Sequence, residues 1–158
     1  MPTEEIPIRS SLYKIIFSKT ENFTAVINGR IEKFEQQPKS YGIDDSVHYR
    51  FINELRYAEI ALFRKNYIFA EIALGNARRF LLSVETAAEG KKPHQFKAYN
   101  TLSENFIKKL NETYPKDLSF EEMRFAKDKM LALYLETVKN SDVFNFDDSL
   151  LYLINCFE

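Results

Sequence analysis

Five basic residues in the middle of the chain have the type and spacing to bind a charged ligand: Arg50, Arg64, Lys65, Arg78 and Arg79. Guanidinium and ammonium groups bind phosphates and carboxylates, so these residues predict a surface for nucleic acid or for an acidic protein. If the region is a helical hairpin, Arg78 and Arg79 lie near Arg50 and away from Arg64 and Lys65. An ordinary solvated helix face is the alternative interpretation.

The histidines give a weaker indication of a site. Asp45 and His48 are three residues apart and would share one helix face, but a carboxylate-bridged metal bundle uses two such pairs. The second pair is missing, because Lys91 stands three residues before His94. We therefore expect His48 near the surface at a helix start, His94 in a loop, and neither a metal nor a cofactor.

Recognised catalytic patterns are missing from the chain. Neither the Gly-x-Ser-x-Gly elbow nor a glycine-rich phosphate loop occurs, and no catalytic residue can be nominated. The single cysteine, Cys156, lies among apolar residues and is expected to be a buried, inert thiol. These observations favour a protein that is not an enzyme, although distant residues can still assemble a catalytic site in space.

The composition predicts the elements that position these side chains. The chain has 158 residues, of which 45% are hydrophobic, with four glycines and five prolines and a net charge of −1. So few chain breakers favour long helices, and the length fits one domain over residues 1–158, with residues 1–10 as a loose tail. Because no secretory signal and no apolar run of about 20 residues is present, we expect a cytoplasmic protein with no membrane partner.

Apolar spacing places the helices. In the block from Asp44 to Ala88 a first stripe, at steps of three and four, contains Val47, Phe51, Leu55, Ala58 and Leu62. A second stripe contains Phe69, Ile72, Asn76, Phe80 and Val84. The polar residues between the stripes predict a bend at Lys65-Asn66, and therefore an antiparallel helical hairpin.

Capping signals mark further helices. The Ser/Thr-x-x-Glu box occurs at Ser18, Thr101 and Ser119, and a last helix is predicted over Leu150 to Phe157, with its start near Asn145. The fold predicted is thus mostly α, a compact bundle of five to six helices around the central hairpin. Residues 11–36 remain open: an apolar stripe favours a helix, whereas the Asn28-Gly29 pair is typical of a small β-hairpin.

The segment from Tyr57 to Glu71 resembles helix–turn–helix repeats of the tetratricopeptide kind, in which a polar turn precedes a Tyr and, three residues on, an Ala. Tyr67 and Ala70 stand at these positions. The segment is also similar to the central hairpin of HEPN-type helical domains, whose next helix carries small and basic residues like Ala77, Arg78 and Arg79. A tetratricopeptide array needs about three repeats, and no second copy is present. A ribonuclease of the HEPN type is expected to carry an Arg and a His four to six residues apart, and no pair with this spacing occurs here.

We therefore expect a non-enzymatic helical module that binds a protein partner or itself, such as an adaptor, an immunity or anti-defence protein, or a small subunit of a larger complex. The missing catalytic patterns and the high aromatic content of 15% motivate this expectation, because aromatic residues are favoured at interfaces. The alternative is a nucleic-acid-associated protein that uses the basic face of the central hairpin.

Overall fold

The structure, a computed structural model, describes residues 21–36, 43–92 and 99–154. Its contacts divide the chain into two compact units, Met1–Ser40 and Tyr41–Glu158. The predicted mostly helical fold is confirmed, and the three described ranges contain no strand. That the whole chain is one domain stays a prediction, as do the expectations for the tail, His94 and Cys156, which lie outside the described ranges.

The first unit contains helix α1, Glu21–Gln36. Phe23, Ile27 and Ile31 recur at steps of four, which gives the helix an apolar stripe. Asn28 and Gly29 lie inside α1, so the helical alternative describes residues 21–36. Residues 11–20, where the rest of the open segment lies, are outside the described ranges.

The described residues of the second unit form four α-helices, which are α2 Ser46–Phe63, α3 Tyr67–Ala88, α4 Glu104–Asn111 and α5 Phe120–Lys139. Arg64, Lys65 and Asn66 join α2 to α3, and α5 packs against both of these helices. A 3₁₀ turn precedes α4, and a 3₁₀ helix, Asp148–Leu153, packs on α2. Where the sequence predicts a last helix over Leu150 to Phe157, with its start near Asn145, the structure has a 3₁₀ helix capped by Asp147, and residues 155–157 lie outside the described ranges.

The apolar stripe predicted for α2 is confirmed, because all five of its residues are buried. The stripe predicted for α3 is wrong over most of its length: Phe69 and Ile72 are exposed, and of the five residues only Val84 is fully buried. The buried face of α3 instead consists mainly of alanine and leucine, namely Ala70, Ala73, Leu74, Ala77, Leu81 and Val84. Small side chains allow close approach of the neighbouring helices, so α3 reaches a tight fit with its smaller residues.

Two capping predictions have different outcomes. Ser119 caps α5 by accepting from the Glu122 backbone N–H at 3.3 Å, but the Glu122 carboxylate accepts from the Lys116 N–H instead of completing the box. The cap predicted at Thr101 is wrong by two residues, because Ser103 caps α4 by accepting from the Phe106 N–H. Both hydroxyls satisfy a backbone donor that the first helical turn cannot satisfy itself.

The α3–α5 contact contains a carboxyl group whose pKa is raised. Glu85 accepts a hydrogen bond of 2.7 Å from the Thr137 hydroxyl, and burial, together with the nearby charges of Glu89 and Glu136, raises its pKa. Burial alone would also raise the pKa of Glu89, but hydrogen bonds from Lys91 and the Ser103 N–H outweigh it and lower that pKa. The two acids therefore affect stability with opposite signs.

Glu85→Gln is expected to raise the free energy of unfolding at pH 7 by up to about 1 kcal/mol. A carboxyl whose folded pKa is raised stabilises the protein below its unfolded pKa, near 4.5, and this contribution is lost as the pH rises through the folded pKa. Gln keeps the acceptor for Thr137 without the charge. Urea denaturation at pH 7 and pH 4 tests this, with Glu89→Gln as the control that should destabilise at pH 7. A Glu85→Gln variant less stable than wild type at pH 7 would contradict it.

None of the helices in the described ranges combines the length and the apolar character that crossing a bilayer requires.

Candidate functional site

The connection between α2 and α3 is a tight turn without glycine. The Asn66 N–H donates to the Ala61 carbonyl at 2.8 Å and the Lys65 N–H to the Leu62 carbonyl at 2.9 Å, which closes the end of α2. Lys65 adopts φ of 55°, a left-handed conformation that glycine usually provides at this position. The Asn66 side chain accepts from the Phe69 N–H at 3.2 Å and so begins α3. Side chains on either side of the turn are therefore held on rigid helix ends.

Large apolar side chains surround this turn and face solvent. Phe63 is 80% exposed and Ile68 is 69% exposed, while Ile72 and Phe69 are about half exposed. Arg64 and Lys65, between them in sequence, are also exposed. We call these six residues the turn patch: Phe63, Arg64, Lys65, Ile68, Phe69 and Ile72. Its apolar side chains expose on the order of 400 Å², which is the size of patch that often marks an interaction site on a monomer.

The exposure follows from how α3 packs. Ala70, Ala73 and Ala77 face the interior, so the isoleucines four residues apart, Ile68 and Ile72, lie on another face. A helix stabilised only by its own packing would be expected to bury these larger side chains, since each would gain about 2 kcal/mol from burial. The first half of α3 thus buries small residues and leaves its largest apolar residues in solvent.

The acids nearest the turn do not neutralise its cations. The Glu59 carboxylate is paired with the ammonium group of Lys127, which is buried on α5. Glu71 is paired with Arg78 at 2.9 Å. Arg64 and Lys65 form no ion pair with the residues that the structure describes, so the turn patch carries uncompensated positive charge beside its apolar side chains.

Arg78 occupies a different place from the other predicted site residues. It is 5% exposed, and its Nε and Nη2 donate to the Thr113 carbonyl at 3.2 and 2.9 Å, while Nη1 donates to Glu71. Its guanidinium also lies 4.2 Å from the centre of the Tyr114 ring. Because internal partners engage all three nitrogens, we leave Arg78 out of the candidate surface.

Arg50 and Arg79 line the same groove between α2 and α3. The groove has a volume of about 330 Å³. Glu54 and Asn76 also line it, and the Asn76 Nδ2 donates to Glu54 Oε2 at 3.3 Å. Both arginines are exposed. Along α3 the distance from the turn to Arg79 is about 20 Å, so the five predicted residues lie at two separate places on the surface and, for Arg78, in the interior.

His48 is buried, so the expectation of a surface histidine is wrong. It is 2% exposed, its Nδ1 lies 2.7 Å from the Tyr134 hydroxyl, and the rings of Phe144 and Phe146 meet it edge-on. Burial lowers its pKa, and the charge of Asp45 opposes this shift. No group of three or more His, Cys, Asp or Glu side chains that could hold a metal ion occurs within residues 21–36, 43–92 and 99–154.

Sequence reasoning missed the apolar half of the turn patch. It assigned Phe69 and Ile72 to the core because they continue a stripe, although that stripe includes polar Asn76. The competing stripe from Ala70 through Ala77 to Val84 has no polar interruption apart from Arg78 at its edge. This stripe of small residues was the pattern in the sequence that could have indicated the buried face of α3.

Comparison with known proteins finds no matching family model, no matching curated protein and no matching solved structure. The case for function therefore rests on the geometry of this chain.

Proposed function

We propose that this chain is a non-enzymatic interaction module, in which α2 and α3 form an antiparallel hairpin that docks an acidic protein segment carrying apolar side chains. The observation that carries the proposal is the packing of α3, which buries alanines and leaves Ile68, Phe69 and Ile72 exposed. A partner that covers the turn patch would bury the apolar area that the fold leaves in water.

The positive charge of the turn patch favours a partner with acidic side chains. Arg64 and Lys65 flank the apolar side chains and form no ion pair with described residues, while Glu59 and Glu71 are occupied by Lys127 and Arg78. Aspartate or glutamate side chains of a partner would supply the missing opposite charge and would steer the encounter. A partner segment of this kind combines two or three large apolar residues with neighbouring acids.

Selection of peptides displayed on phage tests the proposal with a defined probe. Peptides that combine Asp or Glu with Leu, Phe or Trp are expected to be enriched on the wild-type protein and to compete for one site. Ile68→Ser, or Arg64→Glu combined with Lys65→Glu, should weaken their binding about tenfold or more, because a few central residues carry most of an interface's affinity. Leu118→Ser, which changes an apolar residue of similar exposure elsewhere, should leave binding unchanged.

Other results would overturn the proposal. Enrichment of basic peptides, or binding that Ile68→Ser leaves intact, would exclude an acidic partner at the turn patch. Sedimentation of a dimer that Ile68→Ser dissociates would replace the partner with a second copy of this chain. Binding of anionic lipid vesicles or of RNA through Arg64 and Lys65, with no peptide enriched, would assign the surface to a different class of partner.

A further inference from the structure

The groove between α2 and α3 combines an apolar base with polar walls. Val47 is buried at the base, and Ile43 and Phe80, partly buried, flank it. The remaining lining residues are polar, namely Asp44, Ser46, Arg50, Glu54, Asn76, Arg79 and Ser83. A volume of about 330 Å³ lies within the range of small-molecule sites.

The acids of the groove are already engaged within the chain. The two carboxylate oxygens of Asp44 accept from the Ser46 N–H at 3.1 Å and from its hydroxyl at 2.8 Å. These hydrogen bonds, with a smaller contribution from the charge of Arg50, lower the pKa of Asp44, which therefore stays ionised just before α2 begins. Glu54 accepts from the Asn76 amide. Neither acid forms an ion pair with the arginines, so both guanidinium groups keep donors for a ligand.

The pairing of the two helices brings the arginines to the same groove. Glu54 on α2 accepts a hydrogen bond from Asn76 on α3. About one helical turn further from the connection, α2 carries Arg50 and α3 carries Arg79 and Phe80, and all three line the groove. Arg50 and Arg79 therefore approach the same space from the two walls. Two guanidinium groups above an apolar base can hold a carboxylate or phosphate while its organic part contacts Val47 and Phe80.

We propose that this groove binds a small organic anion, with a carboxylate or phosphate group held by Arg50 and Arg79 and an apolar body against Ile43, Val47 and Phe80. The apolar base favours this ligand over the phosphate backbone of a nucleic acid, which offers no apolar body. The site lies apart from the turn patch and does not depend on the proposed docking function.

Titrations followed by the backbone amide signals of isotope-labelled protein test the site. 2-Naphthoate and 1-naphthyl phosphate are expected to shift the amide signals of residues 76–83 and to saturate at one molecule per chain. The comparison of these two probes tells a carboxylate ligand from a phosphate ligand. Neutral 2-naphthalenemethanol and inorganic phosphate should each bind about tenfold more weakly, because each lacks one half of the recognition.

Variants separate this site from nonspecific binding. Arg50→Gln and Arg79→Gln are each expected to weaken naphthoate binding about tenfold, the loss of one charge-assisted contact. Arg56→Gln, on α2 but outside the groove, should leave the affinity within about twofold of wild type. Equal binding of the neutral probe, retained affinity in both groove variants, or signal shifts confined to the turn patch would each overturn the assignment. The exposed arginines can be changed without loss of the fold, which the dispersion of the spectrum would verify.

Discussion

Replacing Arg78 with alanine is expected to lower the free energy of unfolding by about 3 kcal/mol. The same change at Arg79 is expected to alter it by less than about 0.5 kcal/mol. The two arginines are adjacent and carry the same charge, but Arg78 is buried and bonded whereas Arg79 is exposed. The pair of variants therefore separates the loss of the internal contacts from the loss of a positive charge.

The large effect at Arg78 comes from the groups that its removal leaves behind. The Thr113 carbonyl would lose both of its guanidinium donors in a buried position, and the Glu71 carboxylate would lose its ion-pair partner. An unsatisfied buried acceptor costs about 1 to 3 kcal/mol, and an unpaired charge adds to it. Because the Glu71 side chain is 35% exposed, water can replace part of the ion pair, which places the expected loss at the lower end of the range for buried pairs.

Urea denaturation followed by circular dichroism measures both variants. Arg78→Lys is expected to lie between alanine and wild type, because a single ammonium group cannot reach the Thr113 carbonyl and Glu71 with the geometry of a guanidinium fork. Equal stabilities of Arg78→Ala and Arg79→Ala would show that the internal contacts contribute nothing. A midpoint for Arg78→Lys equal to that of wild type would mean that charge alone suffices.

The part of the fold that could be predicted is the part encoded by local spacing. Val47, Phe51 and Leu55 repeat on one face of α2 without a competing stripe, so the buried face followed from the sequence. On α3 two stripes compete, and periodicity cannot decide between large side chains and small ones. Close packing determines which stripe is buried, because the alanines let α2 and α5 approach α3.

For the candidate site, the sequence could predict only which charged residues lie near each other on two consecutive helices. Arg50 and Arg79 were expected near each other at one end of the block, and they line one groove. Arg78 could not be separated from Arg79, because its main partner, Thr113, is 35 residues away in sequence. His48 depends in the same way on Tyr134, 86 residues away. Local sequence patterns cannot predict contacts between residues that lie so far apart in the sequence.

Acid is expected to destabilise the protein through His48. Burial lowers the pKa of this histidine, so the folded state holds it neutral while the unfolded state binds a proton below about pH 6.5. Stability is therefore unaffected above the unfolded pKa and is lost as the pH falls below it, until the folded pKa is passed. The slope cannot exceed about 1.4 kcal/mol per pH unit for one proton, and the loss accumulates only between the unfolded pKa and the lower folded pKa.

The aromatic surroundings of His48 explain why protonation is costly. Nδ1 of the neutral imidazole shares a hydrogen bond of 2.7 Å with the Tyr134 hydroxyl, and burial raises the pKa of Tyr134. In the charged imidazolium both ring nitrogens are donors, so both need an acceptor. Nε2 has no hydrogen-bond partner among the residues that the structure describes, and the rings of Phe144 and Phe146 meet the imidazole edge-on. Asp45 lies on the same helix and offsets only part of this cost.

The matched comparison is the double variant His48→Phe with Tyr134→Phe, which keeps aromatic volume and removes both polar groups. Urea denaturation at pH 7.5, 6.5, 5.5 and 5 should show a falling stability in the parent and a flat profile in the double variant. Both proteins should carry Glu85→Gln. The pKa of Glu85 is raised, so its protonation stabilises the protein as the pH falls, which would offset the loss that comes from His48. Parallel profiles would exclude His48 as the source of the acid sensitivity. His48→Phe alone should be less stable than the double variant at every pH, since it leaves the buried Tyr134 hydroxyl without its hydrogen-bond partner.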